Sequence, residues 1–454
     1  MSSEFSIRSA GRAALISLGC AKNLVDSEHL TAALLDAGFT VTPQLRGADL
    51  LLINTCTFIR EAREESSAVI REACQLKRAG DCRAVLVVGC MAQRYRRRLL
   101  DRFPEVDGVL GLDELDRVGE AARRVLGGEG PVVEVGEVAR RLYEPAERRV
   151  VLSGGPYAYL KIAEGCAHRC RFCAIPAIRG PFRSRPISAI LREAETLLER
   201  GFRELNLIAQ DTTGYGHDRR DGTNLIRLLQ ALDRLPGTFW IRVLYGYPTG
   251  ITEALLETVG QARHMVPYFD VPIQHADPEV LRQMGRGATA AIVPGLTARI
   301  RRLIPEAVVR TTCLVGHPGE SEKAFERLLA HVEEAAYDHL GVFVFSPEQG
   351  TPAARLRPRP SRCTAERRRE RLLEVQIPIA RARLRARRAT AEELLVEAVH
   401  PARVIGRCRG QAPEVDGRTW LAERNSSLRP GMLIPIRLTG RYRGADWEAE
   451  RQER

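Results

Sequence analysis

Three cysteines stand close together at Cys166, Cys170 and Cys173, in the sequence EGCAHRCRFCAIP. Cubane iron–sulfur clusters are usually held by one cysteine thiolate on each iron. No fourth cysteine follows nearby, so three thiolates would leave one iron open to an outside molecule. With Phe172 just before the last cysteine, the spacing predicts a reactive cluster that binds S-adenosylmethionine. A chance triplet or part of a zinc site is the alternative.

Three further cysteines each follow a predicted strand. Cys20 follows SLG, Cys56 follows INT and Cys90 follows VVG. Residues 12–126 alternate apolar runs with helical periodicity, which predicts a small parallel α/β sheet. Such sheets bind ligands at the carboxyl ends of their strands, where we expect these cysteines to converge. They predict a second cluster held by three thiolates, and unrelated core cysteines are the alternative.

The middle of the chain predicts a partial (βα)6 barrel. Its strand candidates are YAYLKIA, ELNLIAQD, FWIRVLYGYP, YFDVPIQH, VVRTTCLVG and HLGVFVFS. The cysteine triplet follows the first of these strands, at the end where such barrels carry their chemistry. Gln210 and Gln274 lie at predicted strand ends and are candidates to orient a cofactor. Ordinary hydrogen bonding explains both glutamines equally well.

The last part of the chain changes pattern. The arginine-rich residues 355–388 predict a helical extension packed on the barrel, and short strands with DG and PG turns then predict a small β-barrel. Trp420, Tyr442 and Trp447 stand among arginines and suit either a nucleic-acid platform or core packing. The predicted parts are an N-terminal cluster domain at 12–127, a linker at 128–151, the barrel with its helical extension at 152–390 and the β-barrel at 391–454.

Composition limits the kind of partner and compartment. The net charge is +12 over 454 residues, which is typical of a protein with a polyanionic partner such as RNA or a ribonucleoprotein. A basic surface that only contacts solvent explains the charge equally well. No apolar run approaches the ~18 residues of a membrane span. The first residues lack a clear signal-peptide pattern, so we expect a cytosolic protein. Eleven cysteines in that setting favour metal ligation or catalysis over disulfides.

Taken together, the chain resembles the radical S-adenosylmethionine methylthiotransferases. The similar segments are SLGCAKNLVDSE, NTCTFIREAREES, VVGCMAQR, YLKIAEGCAHRCRFCAIPAIRGPFRSRP, LIAQDTTGYG and GHPGES. The resemblance covers essentially the whole chain, and all six ligand cysteines match residue by residue. It implies an N-terminal cluster domain, a radical barrel and a C-terminal β-barrel of the TRAM type.

The resemblance also implies a chemistry. A cluster on Cys166, Cys170 and Cys173 would bind S-adenosylmethionine and cleave it to a 5′-deoxyadenosyl radical, with Phe172 packed near the adenine. A second [4Fe-4S] cluster on the other three cysteines would carry the sulfur. No side chain is assigned as acid or base, because the proton on an unactivated carbon is too weakly acidic for one to remove. An electron donor such as flavodoxin or ferredoxin is implied.

The segments AKNLVDSE, IRGPFRSRP and AQDTTGYG are most similar to family members that modify an aspartate of ribosomal small-subunit protein S-twelve. This similarity implies methylthiolation of that aspartate's β-carbon, on the free protein or within the ribosome. Alternatives are a modified adenosine of tRNA (isopentenyl- or threonylcarbamoyl-adenosine) and a non-enzymatic zinc- and RNA-binding module. His317, Gln349 and Gln411 depart from the usual family residues.

Overall fold

The computed structural model describes residues 10–143, 148–423 and 427–452. They form two compact units. The first contains the described residues up to Leu152 together with Glu164–His168 and Cys173–Arg183, and the second contains the rest. Residues 1–9, on which the signal-peptide expectation partly depends, lie outside the described residues. The predicted domain boundaries stay a prediction.

A parallel sheet forms the centre of the first unit. Its strands are β1 (Gly11–Ser17), β2 (Phe39–Thr42), β3 (Ala48–Thr55), β4 (Cys82–Gly89), β5 (Gly108–Leu110) and β6 (Val132–Glu134). They lie side by side in the order β2–β1–β3–β4–β5–β6, and every neighbouring pair is parallel. This confirms the predicted parallel α/β sheet. The edge strands β2 and β6 were not predicted, because their apolar runs are too short to give a periodic signal.

Helices cover both faces of this sheet. The helices of the first unit are α1 (Ala21–Asp36), α2 (Arg60–Arg78), α3 (Cys90–Tyr95), α4 (Arg98–Arg102), α5 (Val118–Leu126) and α6 (Ile175–Arg179). Successive residues of β3 enter opposite cores, since side chains alternate along a strand. Leu50 and Leu52 pack with Leu34 of α1, whereas Leu51 and Ile53 pack with Ile70 of α2. The continuous apolar run of β3 is therefore buried on both sides.

A second parallel sheet forms the centre of the second unit. The chain first adds β7 (Tyr157–Lys161) and the short β8 (Ala163–Glu164) and β9 (Arg183–Ser184), and then β10 (Glu204–Ile208), β11 (Trp240–Val243), β12 (Met265–Asp270), β13 (Val308–Val315) and β14 (His339–Val344). The sheet runs in the order β14–β13–β12–β11–β10–β7, so its strands follow the chain, and all pairs are parallel. This is the predicted partial (βα)6 barrel.

Helices alternate with these strands, and a long one follows them. They are α7 (Ile187–Glu199), α8 (Leu225–Asp233), α9 (Glu253–Gln261), α10 (Pro278–Gln283), α11 (Leu296–Leu303), α12 (Glu322–Ala335) and α13 (Arg362–Ala386). The arginine-rich segment forms α13, which packs on α12 and β14 as predicted. Part of its charge is paired, because Arg368 contacts Glu320 and Arg383 contacts Asp338. Among the described residues, no helix is long and apolar enough to cross a membrane.

The chain finishes in a closed β-barrel, as predicted. Its strands are β15 (Ala391–His400), β16 (Arg403–Cys408), β17 (Thr419–Leu421), β18 (Leu433–Arg443) and β19 (Asp446–Arg451). Trp447 is only 8% exposed and lies in the barrel core, with Tyr442 packed against that core. Trp420 is half-buried on β17. The three aromatic residues therefore do not share one exposed platform, and core packing holds for Trp447 because its large ring fills the small barrel.

Candidate iron–sulfur site

Cys20, Cys56 and Cys90 lie at one edge of the first unit's sheet. They follow β1, β3 and β4, which are neighbouring strands, and Cys90 is the first residue of α3. Thr55 pairs with Gly89 across β3 and β4, so Cys56 and Cys90 leave the sheet at the same level. The three thiols also lie close enough that the charge of Cys20 raises the pKa of Cys56, and both raise the pKa of Cys90. The structure thus brings these cysteines together as predicted, and their role as ligands stays a prediction.

Two glycines allow this close approach. Gly19 has φ +95°, and a Cβ on it would lie 2.7 Å from Cys56 Cβ and 3.0 Å from Cys56 Sγ. Gly89 has φ +88°, and a Cβ there would lie 2.2 Å from Asn54 Oδ1. Any side chain would be strained by the backbone and would collide with the neighbouring strand end. The glycines therefore allow the strand ends that carry the cysteines to approach one another closely.

Buried hydrogen bonds hold the loops at this edge. Asn23 of α1 donates from Nδ2 to the carbonyl oxygens of Leu18 and Thr55, at 2.7 and 3.1 Å. Ser66 of α2 bonds both the backbone N–H and the carbonyl oxygen of Cys56, at 3.1 and 2.8 Å. The loops that carry Cys20 and Cys56 are thus each tied to a helix, which restricts the positions of their thiols.

A buried arginine reaches the same site. Arg179, the last residue of α6, donates from Nη2 to Cys90 Sγ at 3.3 Å and to Asn23 Oδ1 at 3.0 Å. Its other contacts are with Asp26 at 2.8 Å and Glu164 at 3.1 Å. No sequence pattern singled out Arg179, although it stands in IRGPFRSRP. Its contact with Cys90 joins residues 89 positions apart, which no local pattern signals.

The three thiols differ in their tendency to ionise. Burial raises the pKa of Cys90 to about 12 and also raises the pKa of Cys56, although Arg179 acts in the opposite direction on both. For Cys20, removal from water alone would raise the pKa, but the positive charges of Lys22 and Arg179 outweigh this effect. The pKa of Cys20 is therefore lowered. Because the thiolate is the ligand form, metal binding here must release protons.

The cysteine triplet lies in the loop between β8 and β9. Cys166, Cys170 and Cys173 are all half-buried, and the backbone N–H of Cys166 donates to Gly180 O at 3.4 Å. Gly165, just before the first cysteine, has φ +74°, and a Cβ there would lie 2.1 Å from Pro181 O. The loop thus starts with a turn that only glycine allows.

A second buried arginine approaches Cys170. Arg286 lies 3.7 Å from Cys170 Sγ through Nη1 and donates from Nη2 to Pro272 O at 2.8 Å. Its guanidinium lies over the ring of Tyr247, 4.2 Å from the centroid. No sequence pattern singled out Arg286 either, because its partners come from three separate loops of the second unit.

The donor set is compatible with an iron–sulfur cluster. In the part of the chain that the structure describes, no three His, Cys, Asp or Glu side chains are grouped to hold one metal ion. A cubane cluster needs no such group, because each thiolate binds a different iron. Three thiolates at one sheet edge, where glycines allow a close approach, match that requirement.

Three residues were predicted to contact the cofactor. Phe172 packs on a core that includes Leu314 and lies edge-on to His317, with ring centroids 6.3 Å apart. Gln210 follows β10, and its Oε1 is buried without a hydrogen-bond partner in the described residues. Gln274 has φ +70° and bonds β13 through its own backbone N–H and carbonyl. Contact of these three with S-adenosylmethionine stays a prediction.

Two departures from the family pattern are accommodated locally. His317 is fully buried against Phe345, and burial lowers its pKa to about 4, so it is neutral at neutral pH. It therefore fills the place of an aromatic residue without adding charge. Gln411 accepts from Cys408 N at 3.1 Å and from Thr419 Oγ1 at 2.7 Å. This glutamine supports the C-terminal barrel.

Comparison with protein families and curated proteins gives a consistent result. Residues 12–111 match the model of uncharacterized protein family UPF0004, and residues 160–332 match the radical SAM superfamily. The chain is 43% identical over 429 residues to the ribosomal protein uS12 methylthiotransferase RimO of Syntrophus aciditrophicus, covering 93% of this chain and 95% of the relative. It is 44% identical over 435 residues to RimO of Desulforudis audaxviator, covering 95% of each.

Solved structures show the same fold at low sequence identity. The radical S-adenosylmethionine methyltransferase TsrM of Kitasatospora setae, with cobalamin and a [4Fe-4S] cluster bound, aligns with a TM-score of 0.54 at 18% identity, covering 76% of this chain and 77% of that one. The cobalamin-dependent radical enzyme OxsB aligns with a TM-score of 0.54 at 12% identity, over 76% and 55% of the two chains. At these identities the similarity concerns the fold alone.

Proposed function

The chain belongs to the RimO family of radical S-adenosylmethionine methylthiotransferases, and we propose that it methylthiolates the β-carbon of an aspartate in ribosomal protein uS12, the small-subunit protein S-twelve. The observation that carries this proposal is 43–44% identity to RimO proteins over almost the whole chain. The predicted tRNA-modifying alternative shares the chemistry, but these relatives act on a ribosomal protein by name. They also favour an enzyme over a binding module.

The family implies S-adenosylmethionine and iron–sulfur chemistry, and we propose two [4Fe-4S] clusters. Cys166, Cys170 and Cys173 would hold one, and Cys20, Cys56 and Cys90 would hold the other. When bound, these groups supply the electron that cleaves S-adenosylmethionine and the sulfur that is transferred. The convergence of three thiols at the edge of the first unit's sheet supports the second cluster.

A short segment of the first unit links Cys173 to the site of Cys90. Cys173 and α6 both belong to the first unit, and only Ala174 separates Cys173 from the start of that helix. The short link and the helical rise limit the Cα–Cα distance from Cys173 to Arg179 to about 14 Å. The side chain of Arg179 in turn contacts Cys90. We propose that both sites serve one substrate carbon, because proximity would then provide much of the catalysis.

The protein's own groups then have supporting roles. Arg179 and Arg286 each direct a cation at a cysteine sulfur, and Phe172 offers an apolar surface beside the triplet. We assign no acid or base, since the carbon–hydrogen bond is broken by a radical route. We further propose a flavodoxin or ferredoxin as electron donor, a cytoplasmic location, and contact between the C-terminal barrel and ribosomal RNA, which the net charge of +12 would favour.

Anaerobic reconstitution with iron and sulfide tests the proposal directly. The enzyme is incubated with S-adenosylmethionine, a reductant, and either free uS12, assembled small subunits, or tRNA that carries isopentenyl- or threonylcarbamoyl-adenosine. We expect mass spectrometry to find a methylthio group in place of hydrogen on one aspartate of uS12. A methylthiolated adenosine with unmodified uS12 would overturn the proposed substrate but keep the chemistry.

A further inference from the structure

The guanidinium of Arg179 is held in contact with a candidate cluster ligand. The residue is 3% exposed, and its Nη2 donates to Cys90 Sγ at 3.3 Å. The same nitrogen donates to Asn23 Oδ1 and lies 2.8 Å from Asp26, while Nη1 donates to Glu164 at 3.1 Å. The carboxylates of Asp26 and Glu164 and the amide of Asn23 therefore hold the guanidinium in an orientation that directs an N–H at the Cys90 sulfur.

The backbone of Arg179 is fixed as well. Gly180 follows it with φ +74°, and a Cβ there would lie 2.2 Å from Ala139 O. The carbonyl oxygen of Arg179 accepts from Nη1 and Nη2 of Arg183, both at 3.2 Å. Helix α6 thus ends in a turn that only glycine permits. The backbone from which the Arg179 side chain extends is therefore held in place.

A hydrogen bond and a positive charge at a cluster ligand have a known electronic effect. Net charge, hydrogen bonds to sulfur and solvent exposure set the reduction potential of an iron–sulfur cluster. Reduction adds negative charge, which a buried cation stabilises strongly where water is excluded. A donor that holds the cysteine sulfur also restricts its movement, which favours retention of the metal.

A purely structural role is the competing explanation. Arg179 balances two buried carboxylates, Asp26 and Glu164, and Tyr143 also donates to Asp26 at 2.5 Å. That role accounts for the ion pairs, but it does not require contact with a sulfur. Another arginine of the first unit provides the comparison, because Arg149 is as deeply buried and pairs with Glu28 of the same helix α1.

We propose that Arg179 is a positioning residue that raises the reduction potential of the cluster on Cys20, Cys56 and Cys90 and helps to retain its iron. The inference rests on the proposed function, since it requires a cluster at those cysteines. The segment just after the cysteine triplet would thereby also set the reduction potential of the cluster on Cys20, Cys56 and Cys90, through its contact with Cys90.

The test isolates the N-terminal cluster in the full chain. Cys166, Cys170 and Cys173 are replaced by alanine, and Arg179→Lys, Arg179→Met or Arg149→Met is added to that background. After anaerobic reconstitution, iron and sulfide per chain are measured, and the midpoint potential is followed by electron paramagnetic resonance during redox titration. Thermal unfolding of each protein is recorded beside these measurements.

We expect both Arg179 variants to give a more negative midpoint potential and faster loss of iron to a chelator than the background protein. Arg149→Met should lower the unfolding temperature without moving the potential. Arg179→Lys keeps a positive charge beside the carboxylates, so it remains informative if Arg179→Met does not fold. An unchanged potential in every Arg179 variant that folds and holds the cluster overturns this inference alone. A background protein without any cluster overturns the proposed second cluster as well.

Discussion

At the scale of single residues, the function depends on which cysteines hold which group. We expect replacement of Cys166, Cys170 and Cys173 by alanine to abolish cleavage of S-adenosylmethionine. The chain with Cys20, Cys56 and Cys90 replaced should still cleave it but transfer no methylthio group. Each triple variant should retain roughly half of the iron, because each loses one of two clusters. Cleavage is measured as 5′-deoxyadenosine, and transfer as modified uS12.

The exposed Cys363 offers a control for this experiment, since it stands at the start of α13 outside both sets. Its replacement by alanine should leave iron content and both reactions unchanged. Methylthio transfer by the chain that lacks Cys20, Cys56 and Cys90 would contradict the assignment of two clusters.

Single glycines also control the site. Gly89→Ala and Gly80→Ala both place a side chain at a positive φ, +88° and +81°, which costs about 1–2 kcal/mol. Only Gly89 would also collide with Asn54 and the backbone of β3, because nothing lies within 4 Å of a Cβ at Gly80. Overpacking of this kind costs about a further 1–3 kcal/mol.

We therefore expect Gly89→Ala to lose more stability than Gly80→Ala in chemical denaturation, and to bind less iron after reconstitution because Cys90 is displaced. Equal stability and equal iron content in the two variants would show that the space beside Gly89 is not needed.

At the scale of elements, Asp338 joins α13 to the barrel sheet. It stands just before β14 and accepts from Arg383 of α13 at 2.9 Å, from Arg301 of α11 at 3.0 Å and from the backbone N–H of Val309 at 3.0 Å. Burial alone would raise the pKa of this carboxyl, but Arg383, the Val309 N–H and Arg301 outweigh it, so the pKa lies below its ordinary 3.8. The charged form is the one that folding favours.

A carboxyl with a lowered pKa in the folded state stabilises the protein above its ordinary pKa, and this contribution is lost as the pH falls through the folded-state pKa. We expect Asp338→Asn to cost about 1.5–3 kcal/mol near pH 7, since it weakens charged hydrogen bonds. The cost should shrink on acidification below about pH 4. Denaturant titrations of both proteins across this pH range would check it. A stability difference between the two proteins that does not depend on pH would contradict an ionic origin of the cost.

At the scale of the whole chain, a buried charge network fastens the C-terminal barrel to the partial barrel within the second unit. Glu204 of β10 pairs with Arg242 of β11 at 2.7 Å and with Arg407 of β16 at 2.5 Å. All three side chains are at most 1% exposed. Burial would raise the pKa of Glu204, but the two arginines hold it below its ordinary value.

Removal of the central carboxylate should leave Arg242 without its carboxylate and Arg407 with Glu397 alone. We expect Glu204→Gln to cost about 3–5 kcal/mol of stability, as breaking a buried ion pair does. Glu253→Gln, which breaks an exposed pair with Arg302, is the matched control and should cost less than about 1 kcal/mol. Unfolding monitored by tryptophan fluorescence would compare them. Similar losses in the two variants would show that the network does not fasten the barrels.

The sequence by itself identified six cysteines as candidate ligands, most strands and helices in their order, and the three kinds of sheet or barrel. Those features depend on short-range patterns: cysteine spacing, apolar runs of strand length and turn residues. Cys20, Cys56 and Cys90 could be predicted to meet because parallel strands bring their carboxyl ends to one edge.

Only the tertiary structure decided which other groups surround those cysteines. Arg179 meets Cys90, and Arg286 meets Cys170, across 89 and 116 residues of chain. Trp447 lies in the barrel core and not on a surface platform, and the backbone of Gln274 forms hydrogen bonds with β13. The physical reason is that a long side chain finds its partner only after distant segments have packed, and no local periodicity records that packing.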